Sequence, residues 1–71
     1  MIIAMQTYPT MIPVDSSAIR SIGYEAGTLI VEFQSGRTYD HPRVPYSVFT
    51  DFLRSSSKGA FYNRYIRGRY N

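Results

Sequence analysis

The chain has no cysteine and a single histidine among its 71 residues. Disulfide staples and thiolate metal sites are therefore excluded, and the usual zinc ligand sets cannot be assembled. No apolar run approaches the roughly 20 residues that span a bilayer. The first 14 residues, MIIAMQTYPTMIPV, have no positively charged start and are interrupted by Pro9 and Pro13, so a signal peptide is not expected and the cytoplasm is the expected location. Length sets a further bound. A domain of this size buries only about 60% of the surface its unfolded chain exposes, too little to enclose a large cofactor, and none is expected.

Acidic residues are also missing from one part of the chain. Residues 1–53 hold Arg20, Arg37 and Arg43 against Asp15, Glu25, Glu32, Asp40 and Asp51; residues 54–71 hold Arg54, Lys58, Arg64, Arg67 and Arg69 and no acid. The net charge of +3 is thus a property of the C-terminal end. Seven of the eight cations are arginine, whose planar fork suits phosphates, carboxylates and stacked rings better than an ammonium does. What the chain does have is aromatic surface: seven tyrosines and four phenylalanines, with 44% hydrophobic residues overall, a composition that folds.

The expected order of elements is β-β-β-α-α. Ser17 to Tyr24 (SAIRSIGY) is rich enough in β-branched residues for a strand, although its alternation leaves neither face cleanly apolar. Glu25-Ala26-Gly27 supplies a turn, and Thr28 to Phe33 (TLIVEF) places Leu29, Val31 and Phe33 on one face of a second strand. Gln34-Ser35-Gly36 turns the chain again into Arg37 to His41 (RTYDH). Pro42 and Pro45 end the sheet, because proline cannot donate to a ladder. Pro45 then suits the first position of a helix through Arg54, with Val48, Phe49, Phe52 and Leu53 at helical spacing. After Ser55-Ser56-Ser57, with its N-cap chemistry, a second helix is expected over Lys58 to Arg67, stopped by Gly68. The expected fold is α+β, a three-stranded antiparallel meander with two short helices packed on one face. Residues 1–13 are expected to be an arm or an extra edge strand, and 14–71 the domain.

The run from Val14 to Tyr70 resembles the KTSC domain, named for its occurrence at the C-terminus of some lysyl-tRNA synthetases and found also as a small stand-alone protein in bacteria and phages. The resemblance rests on Ser16-Ser17, on Gly23-Tyr24, on the Phe-x-x-Gly hairpin at 33 to 36, and on the tyrosine before Val44-Pro45. It continues through Ser57-Lys58-Gly59, Phe61 and Asn63 to Ile66-Arg67. It implies a small β-rich domain for which RNA binding has been proposed. It also implies a central Tyr-x-Tyr, which appears here as Tyr39-Asp40-His41. A histidine at that place retains a ring and adds a titratable nitrogen, so binding is expected to vary with pH around 6.5.

Catalysis is not expected. Asp40 and His41 are strand neighbours and point to opposite faces, so neither orients the other, and no Gly-x-Ser-x-Gly turn or second histidine completes a site. A ribonuclease assembled from Tyr62, Arg64, Arg67 and Tyr70 has no geometry fixed by the sequence. The interleaved run Phe61-Tyr62-Asn63-Arg64-Tyr65-Ile66-Arg67-Gly68-Arg69-Tyr70 suits a binding module better, with rings to stack bases and arginines to meet phosphates. Phe61 and Tyr65, four apart, are expected in the core. The candidate ligand-binding residues are Lys58, Arg64, Arg67, Arg69, Tyr62 and Tyr70, with His41, Tyr39 and Arg43 at the end of the third strand. Ser55 to Gly59 has a second meaning as an anion-binding helix start.

The expected partner is RNA or a nucleotide-like anion. The alternatives are an inhibitor from a phage or other mobile element that binds a host protein, and a module that sequesters a nucleotide signal. A homodimer through the sheet edge is a further expectation.

Overall fold

The computed structural model describes residues 10–70. An antiparallel sheet of four strands, ordered as in sequence, is formed by β1 (Ile12–Pro13), β2 (Ile19–Glu25), β3 (Thr28–Phe33) and β4 (Thr38–His41). Helices α1 (Tyr46–Arg54) and α2 (Lys58–Phe61) follow, and α2 runs directly into a π-helical turn, Tyr62–Ile66. The expected three-stranded meander is β2-β3-β4. The added strand is short: Ile12 pairs with Ile22 and Pro13 with Ser21. Residues 1–9, the rest of the expected arm, lie outside the described residues.

The imperfect alternation of Ser17 to Tyr24 has a structural cause. Ile19 faces Phe33 and Ser21 faces Glu32, so β2 spends two residues where β3 spends one. This bulge inserts Arg20 and reverses the facing of everything after it, bringing Ile19 and Ile22 to the same side, both fully buried. On the opposite side the Ser21 hydroxyl donates to Glu32 Oε1 at 2.6 Å, and Arg20 approaches the same carboxylate at 4.0 Å.

Ile19, Ile22, Leu29 and Val31 form the sheet's half of the core; Val44, Phe49, Phe52, Tyr62 and Ile66 form the other half. The helix α1 begins where expected, with Pro45 as its extended N-cap residue rather than its first helical one, and buries Phe49 and Phe52. Aromatic contacts fix it at both ends. Phe49 stacks on Tyr24 with centroids 4.9 Å apart, and Phe52 stacks on Phe61 at 5.3 Å. The junction before α1 is tied to the first hairpin, since Tyr24 Oη donates to the Val44 carbonyl at 2.6 Å and the Val44 amide donates to the Gly27 carbonyl at 2.8 Å.

The second helix departs from the expected single α-helix. The Arg67 amide reaches back five residues to the Tyr62 carbonyl at 2.8 Å, the bond of a π turn. Of the two four-spaced pairs, Tyr62 and Ile66 point inward and Tyr65 points out. The expected core position of Tyr65 is therefore corrected: it is 47% exposed, its ring resting on a half-buried Phe61 at 4.8 Å. Spacing alone fits either pair. The choice falls to Tyr62 because a buried tyrosine needs a partner for its hydroxyl, and the sheet supplies one.

The β2–β3 hairpin closes on Ala26-Gly27, with Glu25 paired to Thr28 and both turn residues at positive φ, 53° and 83°. That is the geometry of a type I′ turn, which favours Asn-Gly; alanine there carries a left-handed penalty of about 1–2 kcal/mol. Ala26→Asn is expected to raise stability by about 1 kcal/mol, a rise in melting temperature of roughly 4–8 °C for a domain of this size. Thermal unfolding followed by circular dichroism checks it, and an unchanged or lowered midpoint contradicts the assignment.

Candidate nucleotide-binding face

The candidate face grows from the end of β4. Tyr39 stands opposite Val31 and His41 opposite Leu29, which places both rings on the core-facing side of the sheet. The two have different fates. His41 is 6% exposed, with Nε2 2.9 Å from the Tyr62 hydroxyl and Nδ1 hydrogen-bonded to the Tyr70 carbonyl. A carbonyl oxygen only accepts, so Nδ1 carries the hydrogen. In the neutral ring Nε2 is then bare and accepts from the Tyr62 hydroxyl.

The expectation of His41 as a ligand-binding ring is corrected by this arrangement: both nitrogens are engaged inside the protein. Tyr62 is likewise corrected as a stacking surface, being 8% exposed and packed edge-on to Phe33 at 5.0 Å and to His41 at 5.4 Å. Burial pushes its phenol above the ordinary tyrosine value, with the nearby Tyr39 adding to the rise and Arg67 opposing it.

Tyr39 lies just beyond this cover and remains 44% exposed, edge-on to Phe33 at 5.6 Å. Arg37, two residues earlier on the same side, donates from Nη1 to the Tyr39 hydroxyl at 3.4 Å, a contact that raises the guanidinium above its already high ordinary value. An open recess of about 390 Å³ lies between Tyr39 and the C-terminal segment, floored by Phe33, His41 and Tyr62 and rimmed by Asn63 and Arg67.

The remaining candidates scatter. Arg69 and Tyr70 line a wider groove of about 780 Å³ against α1, with Val48, Asp51, Arg54 and Tyr65. Arg64 faces the Ser55–Ser57 loop. Arg43 sits exposed at φ 56° in the turn before α1 and lines none of these recesses. The Lys58 ammonium donates one of its three hydrogens to the Ser55 carbonyl at 2.6 Å. In the same stretch, α2 is only four residues long, and the Ser57 side chain accepts from the Ala60 amide. The expected basic face is thus divided: the groove with Arg69 and the recess with Arg64 adjoin through Ser55, Phe61 and Tyr65, while Arg67 lines the recess beside Tyr39.

Phe33 and Asn63 in the recess, and Arg37 beside Tyr39, were not among the ligand-binding candidates read from the sequence. The two-residue period of the strand was the signal for Arg37, which it puts beside Tyr39.

With this geometry in place, the comparisons with known proteins are decisive. The KTSC domain family model matches residues 15–70. The chain belongs to the KTSC domain family. A KTSC domain protein of known crystal structure from Yersinia pestis has the same fold, with a TM-score of 0.85 at 33% identity, covering 90% of this chain and 93% of that one. A protein of Tsukamurella paurometabola is 40% identical over 62 residues, which is 84% of this chain and 92% of that protein. A lysine–tRNA ligase of Nostoc punctiforme is 37% identical over 65 residues. The match covers 89% of this chain but only 11% of the ligase, so this KTSC domain spans about a tenth of such an enzyme. Among the described residues no helix is long and apolar enough to cross a membrane, and no group of three or more histidines, cysteines, aspartates or glutamates gathers as a metal site.

Tyr62 supplies a pH prediction. Its folded-state value lies above the unfolded one, so the stabilising contribution is complete below about pH 10 and is lost as the pH rises through the folded value. Tyr62→Phe is expected to cost about 1 kcal/mol at pH 7 through the lost bond to His41. Its deficit against the parent chain should shrink above pH 10. Urea unfolding at pH 7, 9 and 10.5 checks it, and a deficit independent of pH contradicts it.

Proposed function

We propose that this KTSC domain is a non-catalytic module that binds single-stranded RNA. The observation that carries the reading is Tyr39, a large ring left exposed on the core-facing side of the sheet beside Arg37 and Arg67. Single-strand binders combine such stacking rings with cations that follow the phosphates, a pairing that tolerates any base. The charge distribution agrees, since five cations and no carboxylate side chain lie after residue 53. The relatives named lysine–tRNA ligase carry a similar segment in enzymes whose name gives tRNA as a substrate. A non-catalytic role fits a recess whose histidine and buried tyrosine are bonded to each other, leaving no paired base and nucleophile open to a substrate.

Fluorescence polarisation with a labelled single-stranded RNA tests the reading. Binding is expected at low salt and should weaken as salt rises, with log K falling by about 0.7 per phosphate contact for each unit of log salt. The combined variant R64A/R67A/R69A should flatten that slope. No binding at low salt, binding indifferent to salt, or a protein partner retained from lysate after nuclease treatment where RNA does not bind would each overturn it.

A further inference from the structure

A residue on the core-facing row of a sheet is normally covered, and the two full positions opposite β4, Leu29 and Val31, are completely buried. Cover gives out at the two edges of the sheet, where Ile12 on β1 is 39% exposed and Tyr39 on β4 is 44% exposed. The C-terminal segment covers His41 through Tyr62 and, after the turn at Gly68 where φ is 81°, again through the Tyr70 carbonyl, and it leaves Tyr39 beyond that cover. Two recesses result, and they share the rings of Phe33 and Tyr39. Arg67 and Asn63 line the one on the side of the C-terminal segment; Arg37 and Gln34 line the one on the side of the β3–β4 turn. One exposed aromatic ring therefore separates two guanidinium groups.

An internal nucleotide of a single strand has the matching plan, a flat base with one phosphate before it and another after it. A free mononucleotide carries its phosphate on one side only. We propose that Tyr39 is the stacking platform for one internal nucleotide of a single-stranded RNA, with Arg37 and Arg67 on its two flanking phosphates and the Asn63 amide at the edge of the base.

The proposal rests on the RNA reading above and adds to it a place, a stacking residue and a preference for a strand over a free nucleotide. The groups have the capacity required. A guanidinium has five donors, and the contact from Arg37 to Tyr39 occupies one. Asn63 is exposed and offers both donor and acceptor to a base edge. The floor offers rings rather than hydrogen bonds, because the polar atoms of His41 and Tyr62 are satisfied internally.

The test uses two labelled hexanucleotides of equal charge, one carrying bases and one abasic throughout, titrated by fluorescence polarisation at low salt. The parent protein is expected to bind the base-bearing strand more tightly by roughly 5- to 150-fold, the range found for stacking on one aromatic side chain. Tyr39→Thr, which keeps a strand-favouring residue, should abolish that difference without changing affinity for the abasic strand. Tyr39→Phe should preserve it and, by retaining the ring, guards against any loss of fold in the threonine variant. Arg37→Ala and Arg67→Ala should weaken both strands alike and each lower the salt slope by about 0.7. Adenosine monophosphate should displace the hexamer only far above the hexamer's own dissociation constant.

Equal binding of the two strands by the parent protein overturns the stacking site while leaving RNA binding standing. Full discrimination by a folded Tyr39→Thr protein overturns it as well, and so does monophosphate competing as well as the hexamer. Failure of the parent protein to bind either strand removes the RNA reading itself.

Discussion

The structure depends on one buried imidazole. His41 ends the last strand and joins it, through its two nitrogens, to residues 21 and 29 positions later in the chain. Tyr62 is thereby set over Phe33 and against Phe52, which completes the core, and the backbone of Tyr70 is held to the sheet. A buried polar group left without its partner costs about 1–3 kcal/mol, so removing either ring exposes the other to that penalty. The resemblance to the family led one to expect tyrosine at this place. An imidazole can hold partners at two edges of its ring, whereas a phenol has one hydroxyl, and here both edges are used.

The same constraint sorts the aromatic residues by role. In a domain this small, rings provide much of the buried area, and Tyr24, Phe49, Phe52, Phe61, Phe33 and Tyr62 form a nearly continuous chain of contacts from the first hairpin to the C-terminal segment. Each tyrosine buried in it has a partner for its hydroxyl, Tyr24 on the Val44 carbonyl and Tyr62 on His41. Among the described residues no buried side-chain polar atom lacks a partner. Among the described residues the rings that remain exposed, Tyr39, Tyr46 and Tyr65, lie against its outer members Phe33, Tyr24 and Phe61.

Much of this was legible in the sequence, where local chemistry decides the outcome. Ala26-Gly27, Gln34 to Gly36 and the prolines at 42 and 45 punctuate the chain as expected, and the apolar spacing of α1 identified Phe49 and Phe52. The failures occur where a distant partner decides. The bulge at Arg20 depends on the register with β3, so the alternation read from Ser17 to Tyr24 misassigned the facing of Ile19 relative to Ile22. The inward turn of Tyr62 depends on a nitrogen 21 residues earlier. In the candidate site, sequence reasoning named Tyr39 and Arg67 but placed them on one face with cations that line other recesses.

Every residue placed in the recess is held by contacts within residues 15–70, the span that the family model matches. Phe33 and Tyr39 come from paired strands, Tyr62 from the turn that His41 secures, and Asn63 and Arg67 from the same turn, whose π bond fixes their spacing. Nothing in that construction calls on another domain. A similar unit makes up 11% of a lysine–tRNA ligase and nearly all of the small protein from Tsukamurella paurometabola. A surface assembled wholly within the unit is what such portability requires. The wider groove against α1 is built from α1 and the C-terminal segment and contains Asp51 between its arginines. A carboxylate at that position opposes a phosphate, which is why the proposed site is the recess beside Tyr39 and not the wider groove.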